Sequence, residues 1–558
     1  MTTQFDAIVI GSGITGGWAA KELTQKGLTV LLIERGRMIE HIKDYTTETK
    51  APWEMPLRGF GDRHTYPVQS QGRDFDEWTQ SHFVNDLENP YQTDADAPFN
   101  WIRSYQLGGR SLVWGRQSYR WSDVDFGANK LDGVGVDWPI RYRDLAPWYD
   151  HVEDFIGVSG SRENLPQLPD GHFQPPMALN VVEQSLKSRI EKKFPDRRLI
   201  IGRVANLTEA KEGRAPCQYR SICGRGCSYG AYFSTQSSTL PAARATGRLT
   251  LLTDHLVERI DYDAKTRRAV GISGFDTKTR AHFAYRAKMV FLCAGSFNSV
   301  GVLLRSATAE QPAGLANSSG ILGRYIMDHA NTLSAMAAIP GFEGHTTFGN
   351  RPTGIIVPRF RNVSVSERDS RFTRGYSFQG GAYQSGWPRG ATRPGIGKDL
   401  KDDLRAPGPW KFALVGFAEC LPRAENRITL DPVAKDASGL AQLRIRLKFG
   451  DNEHALLADA AEQAKAMLAL TGATDILSFA TPGPPGTAIH EMGGARMGHD
   501  PKTSGLNGHN QAHDIPNLCV TDGACMASSA CQNPSLTYMA LTARAADYAV
   551  TQLGANAL

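Results

Sequence analysis

The chain is predicted to be of the α/β class (α+β overall), with one domain wound on a parallel sheet and a second built on an antiparallel one. Three stretches carry that prediction. Residues 7–34 run from an apolar strand through a glycine turn into a helix and a second strand. Residues 287–306, "AKMVFLCAGSFNSVGVLLRS", lead another buried strand through Ala294-Gly295-Ser296 into a helix. From 331 to about 480 the pattern changes to alternating segments such as "NRITL" and "LAQLRIRLKFG", consistent with antiparallel strands.

The first unit is "FDAIVIGSGITGGWAAKELTQKGLTVLLIERG". Ala7–Ile10 is a short apolar run, suited to a strand buried on both faces. Gly11, Gly13 and Gly16 follow as G-x-G-x-x-G and open a helix through Trp18 and Leu23. The glycines permit a tight turn and close backbone approach to a pyrophosphate, and the helix N-terminus offers that anion free N–H groups. Thr29–Ile33 is a second buried strand ending at Glu34, placed to accept hydrogen bonds from a ribose. The unit is Rossmann-like and binds a dinucleotide. It does not choose between NAD and FAD.

Composition narrows the field. With 62 Lys and Arg against 57 Asp and Glu the net charge is +5, small for 558 residues, so nucleic acid is not indicated. Apolar residues at 41% and charged residues at 21% suit a globular chain with a sizeable core. No stretch approaches the roughly 18 consecutive apolar residues of a membrane span. The start, "MTTQFDAIVIGSG", has no basic n-region, and no cleaved signal peptide is expected there. Eight cysteines are too few for a disulfide scaffold.

Several later blocks belong together. "QLGGRSLVWG" (106–115) is a glycine-paired loop with small side chains, suited to backbone contact with a flat ring system. "ILGRYIMDH" (321–329) follows the second strand–glycine–helix passage, and "NLCVTDGACMASSACQNPSLTYMALTARAADYAV" closes the chain. This ordered set spans nearly the whole sequence and resembles the glucose–methanol–choline (GMC) oxidoreductases. The resemblance implies a p-hydroxybenzoate-hydroxylase-like architecture: an FAD-binding domain over 1–330, a substrate domain over 331–480 whose sheet roofs the flavin, and a return to the first domain over 481–558. It implies cofactor contacts at Gly11, Gly13, Gly16 and Glu34, at Gly108, Gly109 and Ser111, at Val257 near the adenine, and at Ala294, Gly295, Asp522, Gly523 and Pro534. Some sugar-oxidising relatives hold flavin covalently through a histidine in the loop matching 108–115. Val113 stands there in this chain, so dissociable FAD is expected.

The chemistry is expected at the C-terminal end. "GTAIHEMGGARMG" carries His490, and "CQNPSLTY" carries Asn533, 43 residues on. Oxidising an alcohol by hydride transfer needs a base for the hydroxyl proton and a second polar group to hold the hydroxyl. The family uses a His–His or His–Asn pair at these places, which His490 and Asn533 match. Asn533 before Pro534 also reads as ordinary helix-start chemistry, Asn at the N-cap and Pro at N1. His329 is expected to be structural, and His499, His509 and His513 to lie at the surface. Tyr376, Gln379, Tyr383 and Gln384 are candidates to face a sugar as a group, while each taken singly is read as structural.

Cys217, Cys223 and Cys227 sit in "CQYRSICGRGC" at C-x5-C-x3-C. A disulfide leaves one cysteine over, and a zinc site wants four ligands. Three thiolates suit a 3Fe–4S cluster, and the spacing is similar to that in the catalytic subunits of bacterial glucose, fructose and glucoside 3-dehydrogenases. Three free thiols remain the plain alternative. The resemblance then implies a sugar or glycoside dehydrogenase that oxidises a ring secondary alcohol, C3 being one candidate, and passes electrons to a c-type cytochrome. It further implies a small twin-arginine-signal subunit that carries the chain to the periplasm, with a cytoplasmic location as the alternative. A hydrogen-peroxide-forming pyranose or C-glycoside oxidase is the competing reading.

Overall fold

The computed structural model describes residues 4–347, 349–386, 389–390 and 393–555. The strand Gln4–Ile10 lies between Val30–Ile33 and His282–Leu292, all parallel, with Ala7 opposite both Val30 and Met289. Leu249–Leu252 extends this sheet beside Val30–Ile33, and Leu518–Val520 pairs in parallel with the end of His282–Leu292. Two antiparallel strands, Arg268–Asp276 and His255–Asp263, complete it on the other edge. Val30, Leu31 and Leu32 are fully buried, as expected of strands covered on both faces. Each such side chain contributes roughly 1.5–3 kcal/mol on leaving water.

The registers bring Ile10, Ile33, Leu252, Leu292 and Val520 to one level. The residues that follow them are therefore gathered at the carboxyl ends of the parallel strands: Gly11, Glu34, Ala294 with Gly295, and Asp522 with Gly523. Ligands of open α/β sheets bind at that edge. Helix Ile14–Gln25 packs against Ser535–Gly554, which packs in turn against Tyr142–Ile156.

The second sheet is antiparallel, in the order Leu477–Ser478, Ala330–Ala338, Trp410–Ala418, Tyr376–Gln384, Ile355–Val357, Ile200–Ile201. Alternation sorts its faces. Trp410, Phe412, Leu414 and Ala418 join a core with helix Asp451–Ala469, whereas Ala413, Val415 and Phe417 face a large cavity. The sheet thus roofs the carboxyl edge of the first.

Two expectations need correction. "NRITL" and "LAQLRIRLKFG" do not join the roof: their strands, Arg427–Lys435 and Ala441–Arg446, form a separate three-stranded sheet with Gln92–Thr93. Alternation identifies a half-buried strand but not its sheet. Ile200–Ile201, from the first segment, supplies a roof strand. Between the roof strands Tyr376–Gln384 and Trp410–Ala418 a helix spans Gly397–Arg405; residues 387–388 and 391–392 lie outside the described residues. Among the described residues no helix is long and apolar enough to cross a membrane.

Candidate active site

A cavity of about 1600 Å³ runs from the glycine turn to beneath the roof, well above the 300–1,000 Å³ usual for small-ligand pockets. At one end, Gly11 and Gly16 are required by close packing: a Cβ on Gly16 would lie 1.8 Å from Gly11 O, and Gly11 itself has φ +91°. Gly13 differs. A Cβ there would meet nothing within 4 Å, because Gly13 opens on the cavity at a helix N-terminus with no side-chain cap.

Ser12 joins the parts of this end. Its Oγ–H donates to Glu34 Oε2 (2.5 Å) and its Oγ accepts the Gly108 N–H (2.9 Å), which clamps the 108–115 loop over the turn. Glu34 also accepts the N–H groups of Ser12 and Gly36; burial raises its carboxyl pKa. Gly109, Ser111 and Val113 line the cavity, as do Val257, Ala294, Gly295, Gly523 and Pro534. Asp522 accepts from Gly295 N–H (2.9 Å), Ala524 N–H (3.0 Å) and Ser299 Oγ–H, and burial pushes its pKa up to about 6. Arg110 makes a two-point pair with buried Glu491 (3.0 and 2.6 Å).

At the other end His490 and Asn533 meet under the roof, with Asn533 Nδ2 to His490 Nε2 at 3.1 Å. Gln379 Nε2 donates to Asn533 Oδ1 (2.5 Å). Behind His490 stands His329, Nδ1 to Nδ1 at 2.7 Å, its own Nε2 bonded to Ala530 O at 2.9 Å. Asp328 fixes the main chain: it accepts the N–H groups of His490 (3.0 Å), His329 (2.9 Å) and Gly486 (2.8 Å). Burial and nearby Glu491 push Asp328 up to about 7 against those three bonds. Burial, then His329 and Arg110, hold His490 well below the usual imidazole range, so it is neutral at pH 7. A neutral, partly buried imidazole beside a hydrogen-bonding amide can take a hydroxyl proton from an alcohol held between them.

Cys217, Cys223 and Cys227 are all free and partly buried, and Cys223 lines the same cavity. Cys217 Sγ accepts the Tyr219 N–H (3.4 Å), and an Arg220 guanidinium nitrogen stands 4.0 Å from Cys227 Sγ. Burial, then proximity of the other two thiols, raises the Cys217 pKa. Among the described residues no three His, Cys, Asp or Glu side chains stand at metal-binding spacing. The donor set suits iron–sulfur, but its convergence is not present.

The GMC oxidoreductase N-terminal family model matches residues 5–331, and the C-terminal model matches 422–542. This chain belongs to the GMC oxidoreductase family. Relatives include the 2-methyl-1,2-propanediol dehydrogenase of Mycolicibacterium austroafricanum, 29% identical, the alignment covering 98% of this chain and 96% of that one. The fructose dehydrogenase large subunit of Gluconobacter japonicus is 25% identical, with 99% of each covered. A crystal structure of pyridoxine 4-oxidase from Mesorbium loti shares the fold, with TM-score 0.61, 15% identity, and 97% and 98% covered.

This GMC oxidoreductase binds FAD and acts on alcohol CH–OH groups. Its residues fit the cofactor: the space over Gly13, the uncapped helix end and the continuous cavity suit a pyrophosphate with an adenosine at Glu34 and Val257 and a flavin toward His490. Reading the sequence alone missed Ser12, Arg110, Glu491 and Asp328, and made His329 merely structural. The "DH" of 328–329 and "HE" of 490–491, ionisable pairs in apolar surroundings, were the available signals. Of the three outlying histidines, His499 is exposed, while His509 stacks on Tyr548 (3.8 Å) and His513 bonds Ser504 (3.0 Å), both partly buried.

The helix-start reading of Asn533 is corrected. Pro534 is the cap residue of helix Ser535–Gly554, and the Asn533 side chain does not cap it; it is turned instead to Gln379 and His490. Asn533→Ala should therefore slow substrate oxidation by tenfold or more, on the order of a lost positioning contact, with little change in melting temperature. Stopped-flow reduction and a thermal melt check this. A loss of about 1 kcal/mol or more of stability, the size of a lost cap, with the rate intact would reverse it.

Proposed function

We propose that this oxidoreductase is a dehydrogenase for sugars or glycosides that oxidises a ring secondary alcohol, C3 being one candidate position, to a ketone. The observation that carries it is neutral His490 with Asn533 at the end of a cavity continuous with the dinucleotide cradle. In this reading the substrate hydroxyl sits between His490 Nε2 and Asn533 Nδ2, and His490 takes its proton. Bound FAD supplies the hydride acceptor. Roof residues Gln379, Asn331 and Gln384 line the cavity and offer amides to the remaining hydroxyls. The similarity to a fructose dehydrogenase large subunit supports a sugar.

For the electron exit, the reading assigns Cys217, Cys223 and Cys227 to a 3Fe–4S cluster, which would carry single electrons outward. Its support is the thiol set itself and the place of Cys223 on the cavity wall. A c-type cytochrome acceptor, and export to the periplasm with a small twin-arginine-signal subunit, complete the proposal. A second reading, an oxidase forming hydrogen peroxide, is favoured by one observation: the three thiols do not converge.

Iron analysis and a visible spectrum of anaerobically purified protein decide between them. The dehydrogenase reading expects iron lost on Cys223→Ser, together with cytochrome reduction but not with reduction of the flavin by sugar. Iron-free protein whose reduced flavin reacts rapidly with O2 selects the oxidase. Acid precipitation of the same sample should leave all flavin in the supernatant.

A further inference from the structure

We propose that His329 is a positioning residue that sets which nitrogen of His490 is basic and then accepts a strengthened hydrogen bond from His490 once that ring is protonated. The proposal rests on the reading of His490 as the base.

The argument is an accounting of hydrogens. The carbonyl of Ala530 can only accept, so His329 Nε2, 2.9 Å away, carries a hydrogen and donates it. A neutral imidazole has one N–H, which leaves His329 Nδ1 bare. Burial keeps His329 neutral, with its pKa pushed down to about 4. The hydrogen in the 2.7 Å contact between the two Nδ1 atoms therefore belongs to His490. His490 Nε2 then holds the lone pair, and it is the nitrogen that faces Asn533 and the cavity. One backbone carbonyl, acting through one ring, decides the tautomer of the next.

The same contact acts after proton transfer. When the substrate O–H bond breaks and a His490 Nε2–H bond forms, the positive charge lies on a ring whose Nδ1–H already points at a neutral acceptor. That bond becomes charge-assisted, about twice as strong as its neutral form. An orienting carboxylate behind a catalytic histidine does the same work, but it raises the basicity of the ring before substrate arrives. An uncharged imidazole fixes the tautomer without placing a negative charge beside the ring. The charged groups around the pair are Arg110 and Glu491, which pair with each other, and Asp328, bound to the main chain of both histidines. The roof contributes the Phe417 ring, 6.1 Å from each.

The test has two readouts. In the flavin-loaded wild type, ¹⁵N-histidine NMR, assigned against His490→Asn and His329→Asn, should show a bare Nε2 at His490 and a bare Nδ1 at His329. A bare Nδ1 at His490 overturns the proposal without any variant having to fold well. In single-turnover reduction by methyl glucoside, His329→Phe should fall by about 10²-fold, within the usual range for general-base contributions. His329→Asn, whose Oδ1 can accept from His490 Nδ1–H, should recover at least tenfold of that loss, on the order of one restored hydrogen bond. An unchanged rate in His329→Phe, or no recovery in His329→Asn, refutes the role. A His490→Ala enzyme that keeps its rate would instead refute the base assignment beneath it.

Discussion

Replacing His490 with Ala is expected to slow reduction of the enzyme by its alcohol substrate by roughly 10²–10⁴-fold, the usual worth of a positioned general base, while FAD stays bound. The cofactor should remain because the glycine turn, Ser12 and Glu34 lie at the opposite end of the cavity. The wild-type pH profile belongs to the same expectation. The base works neutral, and burial disfavours its cation, so the pKa lies well below 6.5. Lowering the pH from 7 through 6.5 should then leave kcat/KM nearly unchanged, with the acid limb appearing only below the ordinary histidine range. Half-loss of kcat/KM at or above pH 6.5 would show that another group, or a solvated His490, limits the reaction. Stopped-flow rates of the Ala variant near wild type would remove His490 from the chemistry.

The second large effect is expected at Gly16. An added methyl there would stand 1.8 Å from Gly11 O, and that oxygen cannot withdraw freely, because the Gly11 N–H is held by Ile33 O at 2.8 Å. Overpacking of this kind costs about 1–3 kcal/mol or more, and it distorts the turn meant to cradle the pyrophosphate. Gly16→Ala should therefore yield protein with little flavin and a lowered melting temperature even without cofactor. Gly13→Ala is the informative partner. Its methyl enters open space, so the cofactor-free chain should melt as wild type while flavin affinity falls. Equal flavin content in the Gly13 variant and wild type would place the pyrophosphate elsewhere.

Much of the cradle was legible because its residues are local. Gly11, Gly13, Gly16 and Glu34 are separated by one helix and one turn, and short-range geometry dictates why each is there. His490 and Asn533 were legible through their resemblance to the family blocks, and the structure brings them within 3.1 Å. Asn533 as a cap was misread because an Asn-Pro start has the same local signature whether the amide turns back to its helix or outward to a partner. Its partners, Gln379 and His490, are 154 and 43 residues away.

By itself, then, the sequence determined the α/β class, the dinucleotide turn and the existence of alternating strands after residue 331, all properties of period and of neighbours within a few residues. The tertiary structure decided what depends on register and on chain segments far apart. Five strand ends level at Ile10, Ile33, Leu252, Leu292 and Val520 bring Asp522 beside Gly295. Arg427–Arg446 is sent to a third sheet rather than the roof. His329 is placed behind His490 across 161 residues of chain. A hydrogen bond between two rings so far apart in the chain leaves no periodic trace, because its energy depends on a distance of 2.7 Å that no local pattern encodes.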